Sequence, residues 1–287
     1  MKLNEIHIRD PFILKANGKY YMYGTRCEAA RDTWLGFDVY ISTDLENWSE
    51  PISVFEKSEK FWATRQFWAP EVHKYNGKYY MFATFCAEGK CRATQILVSD
   101  APDKAFVPLT DAPITPADWE CLDGTLYVDR KGKPYIIFCH EWLQVHDGEM
   151  CVLELTSDLK NSVGKPVVLF KASEPSWADK DNNDYVTDGP FMYRTESGKL
   201  LMIWSSFAAD NYIAAISYSD NGEITGNWIH QDELLFSKDG GHGMIFESYD
   251  KEKFFVLHSP NISPNERPIL QKIAECSDTL KIADCKF

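Results

Sequence analysis

The sequence contains no run of 18 apolar residues, which excludes a transmembrane helix. Its start, Met1-Lys2-Leu3-Asn4-Glu5, lacks the apolar stretch of a signal peptide. The chain therefore reads as cytoplasmic, or as one whose signal segment has been removed. No Cys-x-x-Cys pair occurs among the eight cysteines at 27, 86, 91, 121, 139, 151, 276 and 285. No His cluster accompanies Cys86 and Cys91, so a structural zinc site is not expected. Most of these thiols fall in strand-like segments, where a thiol packs as a small hydrophobe, and their number fits a reducing compartment. Basic charge is scarce: 30 Lys and Arg stand against 43 Asp and Glu, for a net charge of −13. Nucleic acid and anionic membrane surfaces would be repelled, whereas a neutral substrate would not. The same charge also serves plain solubility. An amphipathic helical period is missing throughout, and so is any dense ligand motif of the EF-hand kind.

What the chain does have is one sentence written five times. Ile8-Arg9-Asp10-Pro11-Phe12-Ile13-Leu14 leads to Asn17-Gly18-Lys19-Tyr20-Tyr21-Met22-Tyr23. An acid opens an apolar strand, an Asn-Gly turn reverses the chain, and an aromatic strand returns. The pattern recurs from Glu71 to Asn76-Gly77, from Asp123 to Lys131-Gly132, from Asp188 to Ser197-Gly198 and from His242 to Lys251. A second mark, a turn with Asp after an apolar strand, falls at Asp44, Asp100, Asp158, Asp220 and Asp278, in steps of 56, 58, 62 and 58 residues. Five such units account for all 287 residues.

Each unit reads as about four short strands, in the first at 9–15, 19–25, 37–43 and 51–55. A period of this length with four strands per unit predicts an all-β, five-bladed β-propeller over residues 1–287, as a single domain. The segment 3–8 is a candidate strand for the last blade, which would close the ring.

In a propeller the first strand of each blade lines the central channel. Asp10, Glu71, Asp123, Asp188 and His242 stand at or near first-strand starts and are expected to converge at one mouth. Four carboxylates sharing a low-dielectric site raise at least one pKa, which is how a general acid is made. Taken singly, each acid is equally a turn residue that satisfies backbone N–H groups.

Arg9-Asp10-Pro11-Phe12-Ile13, Phe67-Trp68-Ala69-Pro70-Glu71-Val72, Leu122-Asp123-Gly124 and Asp188-Gly189-Pro190-Phe191 resemble glycoside hydrolase family 43, across all five repeats. The resemblance implies a five-bladed propeller that hydrolyses pentosidic linkages with inversion, as β-xylosidases, α-L-arabinofuranosidases and endo-arabinanases do. It implies Asp10 as general base and Asp123 as the residue that tunes the acid. The family's acid is a Glu before Ala-Pro or Gly-Pro, and here that position is Asp188, one methylene shorter. Glu141, in His140-Glu141-Trp142, is the substitute acid, and the choice between the two stays open. Glu71 takes the place of an Asp that binds or orients substrate. His242, between Gly241 and Gly243, matches a His that contacts the water shell of a Ca²⁺ or another ion on the channel axis. No cofactor is required, and a hydrogen-bonded core His explains the same residue.

Trp68 and Trp142 lead the candidates for a flat platform under a sugar ring, followed by Trp34, Phe37, Trp119, Trp177 and Phe207. Arg9 is placed with the substrate-binding residues. Residues 178–184 read as a polar loop near the mouth. The expected activity is release of a terminal pentose, arabinofuranose or xylose, from oligosaccharides. An endo-arabinanase of the same fold and a non-catalytic sugar-binding propeller are the alternatives. A phosphorylase would need several basic residues, and Arg9, Arg26 and Arg65 are the candidates.

Overall fold

The computed structural model describes residues 1–27, 35–179 and 183–283. Among them, twenty strands form five antiparallel sheets of four, each sheet from one continuous segment. Blade 1 is β1 (Ile8–Ala16), β2 (Lys19–Arg26), β3 (Gly36–Ser42) and β4 (Ile52–Glu56). Blade 2 is β5 (Arg65–Tyr75), β6 (Lys78–Ala87), β7 (Lys90–Ser99) and β8 (Val107–Pro108). Blade 3 is β9 (Cys121–Val128), β10 (Pro134–His140), β11 (Glu149–Leu155) and β12 (Ser162–Lys171). Blade 4 is β13 (Asp188–Arg194), β14 (Leu200–Ala208), β15 (Asn211–Ser219) and β16 (Trp228–His230). Blade 5 is β17 (Gly241–Glu247), β18 (Lys253–Ser259), β19 (Arg267–Cys276) and β20 (Thr279–Ile282). This is a five-bladed β-propeller. One four-residue α-helix, α1 (Trp142–Val145), interrupts it.

The turn chemistry sets the register of each inner hairpin. Asn17 and Gly18 adopt φ of 51° and 74°, and Asn76 and Gly77 adopt 45° and 81°. Ala16 then pairs with Lys19, and Tyr75 with Lys78. Positive φ at both central residues is the type I′ geometry, whose twist matches that of the strands it joins.

The core is divided among the five blade junctions. Phe37 and Phe55 of blade 1 meet Phe67 and Phe85 of blade 2. Phe82 meets Phe138 across the next junction, and Phe170 meets Trp204 across the third. Leu201 meets Phe255 between blades 4 and 5, and Met22 meets Phe246 where blade 5 returns to blade 1. The ring closes by this packing and by hydrogen bonds such as Tyr249 N–H to the Tyr20 hydroxyl at 2.8 Å. Residues 3–8 do not add a strand to the last blade. Leu3–Glu5 is a 3₁₀ turn, Ile8 already belongs to β1, and β17–β20 complete blade 5 without help.

Every inner strand is kinked at the same level. Asp10, Ala69, Asp123, Gly189 and His242 all have φ between 45° and 56°. Pairing slips there, between Arg9 and Phe12, Trp68 and Glu71, Asp188 and Phe191, and Gly241 and Met244. On β9 it falls between Leu122 and Thr125, opposite Cys139 and Ile137. A left-handed non-glycine residue costs about 1–2 kcal/mol. Four such residues in one ring mark a place where strain is maintained, and bulges of this kind re-aim side chains. Gly189 needs its lack of Cβ twice over, because its φ is +48° and an added Cβ would lie 2.6 Å from the His242 ring.

Each kinked amide is tied to the blade before it. Ala69 N–H donates to Thr25 Oγ1 at 2.7 Å, Asp123 N–H to Thr84 Oγ1 at 2.9 Å and His242 N–H to Ser205 Oγ at 2.8 Å. Asp10 N–H donates to His258 Nδ1 at 3.2 Å. Thr25, Thr84, Ser205 and His258 occupy one position, facing Arg9, Trp68, Asp188 and Gly241 respectively across the inner hairpin.

Candidate active site

The kinks bring two rows of side chains into one cavity of about 250 Å³. The first row supplies Arg9, Trp68, Leu122 and Asp188, and the kinked row supplies Asp10, Asp123 and His242. Glu141, Trp142, Val186 and Phe207 complete the wall.

Asp10 sits in a dense set of partners. Arg9 Nε donates to Asp10 Oδ1 at 3.1 Å, and Thr25 Oγ1 donates to Oδ2 at 2.7 Å. His242 Nδ1 lies 3.2 Å from Asp10 Oδ1 and 3.5 Å from Asp123 Oδ2. Burial pushes the Asp10 carboxyl up, but His242, Arg9 and the Thr25 hydroxyl outweigh it and hold the group well below the usual carboxylate range. His258 carries its proton on Nε2, since Nδ1 accepts the Asp10 amide and Nε2 faces Asn261 Oδ1 at 3.2 Å. Burial lowers this imidazole to about 3, so it is a neutral strut.

Asp188 has the opposite environment. Burial, and then the charge of Asp123, push it up to about 8, against His242, Arg9 and a 3.1 Å hydrogen bond donated by the Tyr212 hydroxyl. Burial and the Asp10 charge also push Asp123 well up, while the Gly189 amide, donating to Asp123 Oδ2 at 3.0 Å, pulls the other way. Three carboxylates this close do not all ionise at neutral pH. Asp10 is held toward its charged form, and Asp123 and Asp188 are both pushed toward protonation as a coupled pair. A cavity holding one firm carboxylate and one protonated carboxyl can perform general acid–base work on a bond placed between them.

Glu141 is held differently. Its Oε2 meets Arg92 Nη1 in a buried ion pair, and burial still raises its pKa despite that partner. Arg92 also donates through Nε to Gln66 Oε1 at 3.0 Å, and its guanidinium lies 4.8 Å from the centre of the Trp68 ring. Arg92, Tyr212 and His258 were not singled out by sequence reasoning. The repeat contains a signal for His258, which lies sixteen residues after His242 just as Ser205 lies sixteen after Gly189.

Glu71 does not line the cavity. The kink of blade 2 falls on Ala69, so Glu71 lies two residues further along β5, deeper in the channel, 3.2 Å from His73 Nε2. Among the proposed platforms, Trp68, Trp142 and Phe207 line the cavity. Phe37 is wholly buried between blades, Trp119 stacks on His140 at 4.1 Å, and Trp177 packs on Trp204 at 5.4 Å. Trp34 and residues 180–182 of the polar loop lie outside the described residues. Arg26 is paired with Asp38, and neither it nor Arg65 reaches the cavity, leaving Arg9 as the basic group there among the three candidates.

Among the described residues, no three His, Cys, Asp or Glu side chains converge to hold a metal ion. The Nδ1 edge of His242 is committed to Asp10 and Asp123. None of the described helices is long and apolar enough to cross a membrane.

Carboxylates gathered around one cavity at the start of a propeller's inner strands are what acid–base cleavage of a glycosidic bond requires. A model of the Glycosyl hydrolases family 43 matches residues 4–275, and the chain belongs to that family. It is 24% identical over 253 residues to the Extracellular endo-alpha-(1->5)-L-arabinanase 1 of Bacillus subtilis (strain 168), covering 83% of this chain and 72% of that one. It is 30% identical over 156 residues to the Xylosidase/arabinosidase 43A of Humicola insolens, covering 49% and 46% of the two chains. The crystal structure of an endo-arabinase from Bacteroides thetaiotaomicron VPI-5482 superposes with a TM-score of 0.89 at 39% identity, covering 96% of this chain and 98% of that one.

Proposed function

We propose that the protein is an inverting arabinanase, hydrolysing glycosidic bonds between arabinofuranose units of oligosaccharides. The observation that carries this reading is the cavity shared by Asp10, Asp123 and Asp188, in which Asp10 accepts from Arg9 and Thr25 and is held below the usual carboxylate range, while Asp188, accepting from Tyr212 alone among the described residues, is pushed up to about 8. Asp10 removes a proton from a water molecule as that water attacks the anomeric carbon. Asp188 hands its proton to the leaving oxygen on the opposite face. Asp123 shares the proton load with Asp188 and is steadied by the Gly189 amide. Arg9 and His242 hold Asp10 in its charged form, and Trp68 and Trp142 flank the sugar. Glu141 serves as a wall residue through its pair with Arg92 rather than as the acid.

The choice of arabinan over xylan is supported by the two relatives named as arabinanases, which this chain matches along most of its length. One of them is named as extracellular. The described cysteines of this chain are all free and mostly buried, which supports a reducing compartment instead.

The test is hydrolysis of 4-nitrophenyl α-L-arabinofuranoside, 4-nitrophenyl β-D-xyloside and α-1,5-arabino-oligosaccharides by wild type, Asp10→Asn and Asp188→Asn. Arabinose-specific turnover that Asp10→Asn abolishes, with an inverted anomer observed by NMR, supports the reading. A ladder of products indicates internal cleavage, and arabinose alone indicates release from a chain end. Turnover of the xyloside alone, or none at all, sinks it.

A further inference from the structure

Trp142 reaches the cavity from α1, a single turn with no buried residue of its own. Leu143, next along that turn, is 55% exposed. Burial of an apolar face, which holds most short helices in place, is therefore missing here, and polar ties take over. They converge on the exposed side chain of Gln144. Glu120 N–H donates to Gln144 Oε1 at 2.7 Å, and Gln144 Nε2 donates to the Asp118 carbonyl at 2.9 Å. These two backbone partners fix which end of the amide is oxygen, since the reverse would set donor against donor and carbonyl against carbonyl. His140 Nε2, 2.9 Å from the same Oε1, is then the nitrogen that donates, and Nδ1 faces Glu149 Oε2 at 2.9 Å. Trp119 stacks on that imidazole with 12° between the planes. The strap 118–120 is anchored in turn. Glu120 Oε2 accepts from Arg92 N–H at 2.7 Å, and the Glu120 carbonyl accepts from Glu141 N–H at 2.8 Å. One side chain thus joins α1 to the end of β10 and to the strap that leads into β9.

We propose that Gln144 is a positioning residue for sugar binding: its amide clamps α1 to the 118–120 strap and so sets where the Trp142 ring stands in the cavity wall. Gln144 does not itself line the cavity, so its effect passes through Trp142. The proposal rests on the reading of the cavity as a sugar site. What the clamp governs is affinity, because a platform that drifts weakens the grip on substrate and transition state alike and leaves the proton transfers untouched.

The test compares wild type with Gln144→Met, Gln144→Glu, Trp142→Ala and Gln144→Met/Trp142→Ala on α-1,5-arabinotriose. Gln144→Met keeps the length of the side chain without its amide, and is expected to raise KM about tenfold while kcat changes by less than about twofold. Gln144→Glu keeps the acceptor for the Glu120 amide and His140 but sets an oxygen against the Asp118 carbonyl, and is expected to fall between Gln144→Met and wild type. In the Trp142→Ala background, Gln144→Met is expected to change KM by less than about twofold, because its effect has no other outlet. Hydrogen exchange, read without any sugar, is expected to run about tenfold faster in both segments 118–121 and 142–146 of Gln144→Met. Additive losses in the double variant, a fall in kcat at constant KM, or unchanged exchange overturns the proposal. Failure of wild type to cleave any arabinoside overturns the proposed function instead, and the exchange measurement then decides the clamp by itself.

Discussion

The amide of Gly189 donates to the carboxylate of Asp123, where the equivalent amide on each of the other blades donates to a Thr, Ser or His of its neighbour. The difference traces to Cys139. It occupies on β10 the position that Thr25, Thr84, Ser205 and His258 occupy on their blades, facing Leu122 across the hairpin. A thiol is a weak acceptor, so the Gly189 amide turns to Asp123 instead.

Cys139→Thr should therefore recapture that amide. Asp123 would lose a hydrogen bond from an N–H, an interaction of about 1.5–3 kcal/mol when the acceptor is charged. kcat is expected to fall roughly tenfold, and the alkaline limb of the pH profile to move upward. Cys139→Ala supplies no acceptor and is expected to keep the wild-type pH profile. Stopped assays of both variants from pH 4 to 10 check this, and identical profiles for the two would sink the explanation.

The activity of the wild type should decline with a midpoint near pH 8, where the raised carboxyl of the Asp123–Asp188 pair loses its proton. Asp188→Asn should abolish that limb along with most turnover of natural oligosaccharides. Aryl glycosides need less help at the leaving oxygen and should retain more. An unaltered alkaline limb in Asp188→Asn would assign the proton elsewhere.

Stability should show the same group with a definite sign. The Asp188 pKa is raised from 3.8 to about 8 on folding, so between these values the folded state binds more protons than the unfolded one. Stability contributed by this group therefore falls as pH rises through that window, by up to about 1.4 kcal/mol per pH unit. Asp188→Asn removes this slope. Urea unfolding at pH 4.5 and 7.5 should show the variant gaining on wild type at the higher pH, and a gain at the lower pH would contradict it.

Glu141→Gln should cost stability as well as activity, because it leaves the Arg92 guanidinium buried beside Trp68 without its carboxylate. Breaking a buried pair from one side costs about 3–5 kcal/mol. Arg92→Met combined with Glu141→Gln should recover much of that. If Glu141 were the proton donor, the double variant would regain stability yet remain inactive on oligosaccharides, so thermal melts and turnover of the same preparations separate the two roles.

The repeat was legible because its marks are chemical: Asn-Gly turns need positive φ, and the structure puts Asn17-Gly18 and Asn76-Gly77 in the conformation the residues favour. Asp10, Asp123, Asp188 and His242 could be brought together from spacing alone, since the start of an inner strand has one place to go in a propeller. The offset of Glu71 from the cavity comes from register. Acids were aligned with acids, whereas the kink falls on Ala69, and in a strand two residues of displacement keep the face but move the side chain down the channel. Phe37 and Trp177 were misjudged because an aromatic in a strand carries no mark of which junction it fills. Arg92 could not have been found, because nothing in the sequence places the start of β7 behind Glu141 and Trp68.

The blade-to-blade amide ties run the full circuit and end where they began, with His258 of the last blade accepting from Asp10 of the first. The base is thus seated on the seam of the ring. Any parting of blades 5 and 1, however slight, removes the strut from behind Asp10 before it disturbs a single strand. Catalysis in such a molecule is a gauge of circumference: turnover would fade while the circular dichroism of the sheets stayed whole, and a cross-link across the seam would preserve activity further than it preserved fold.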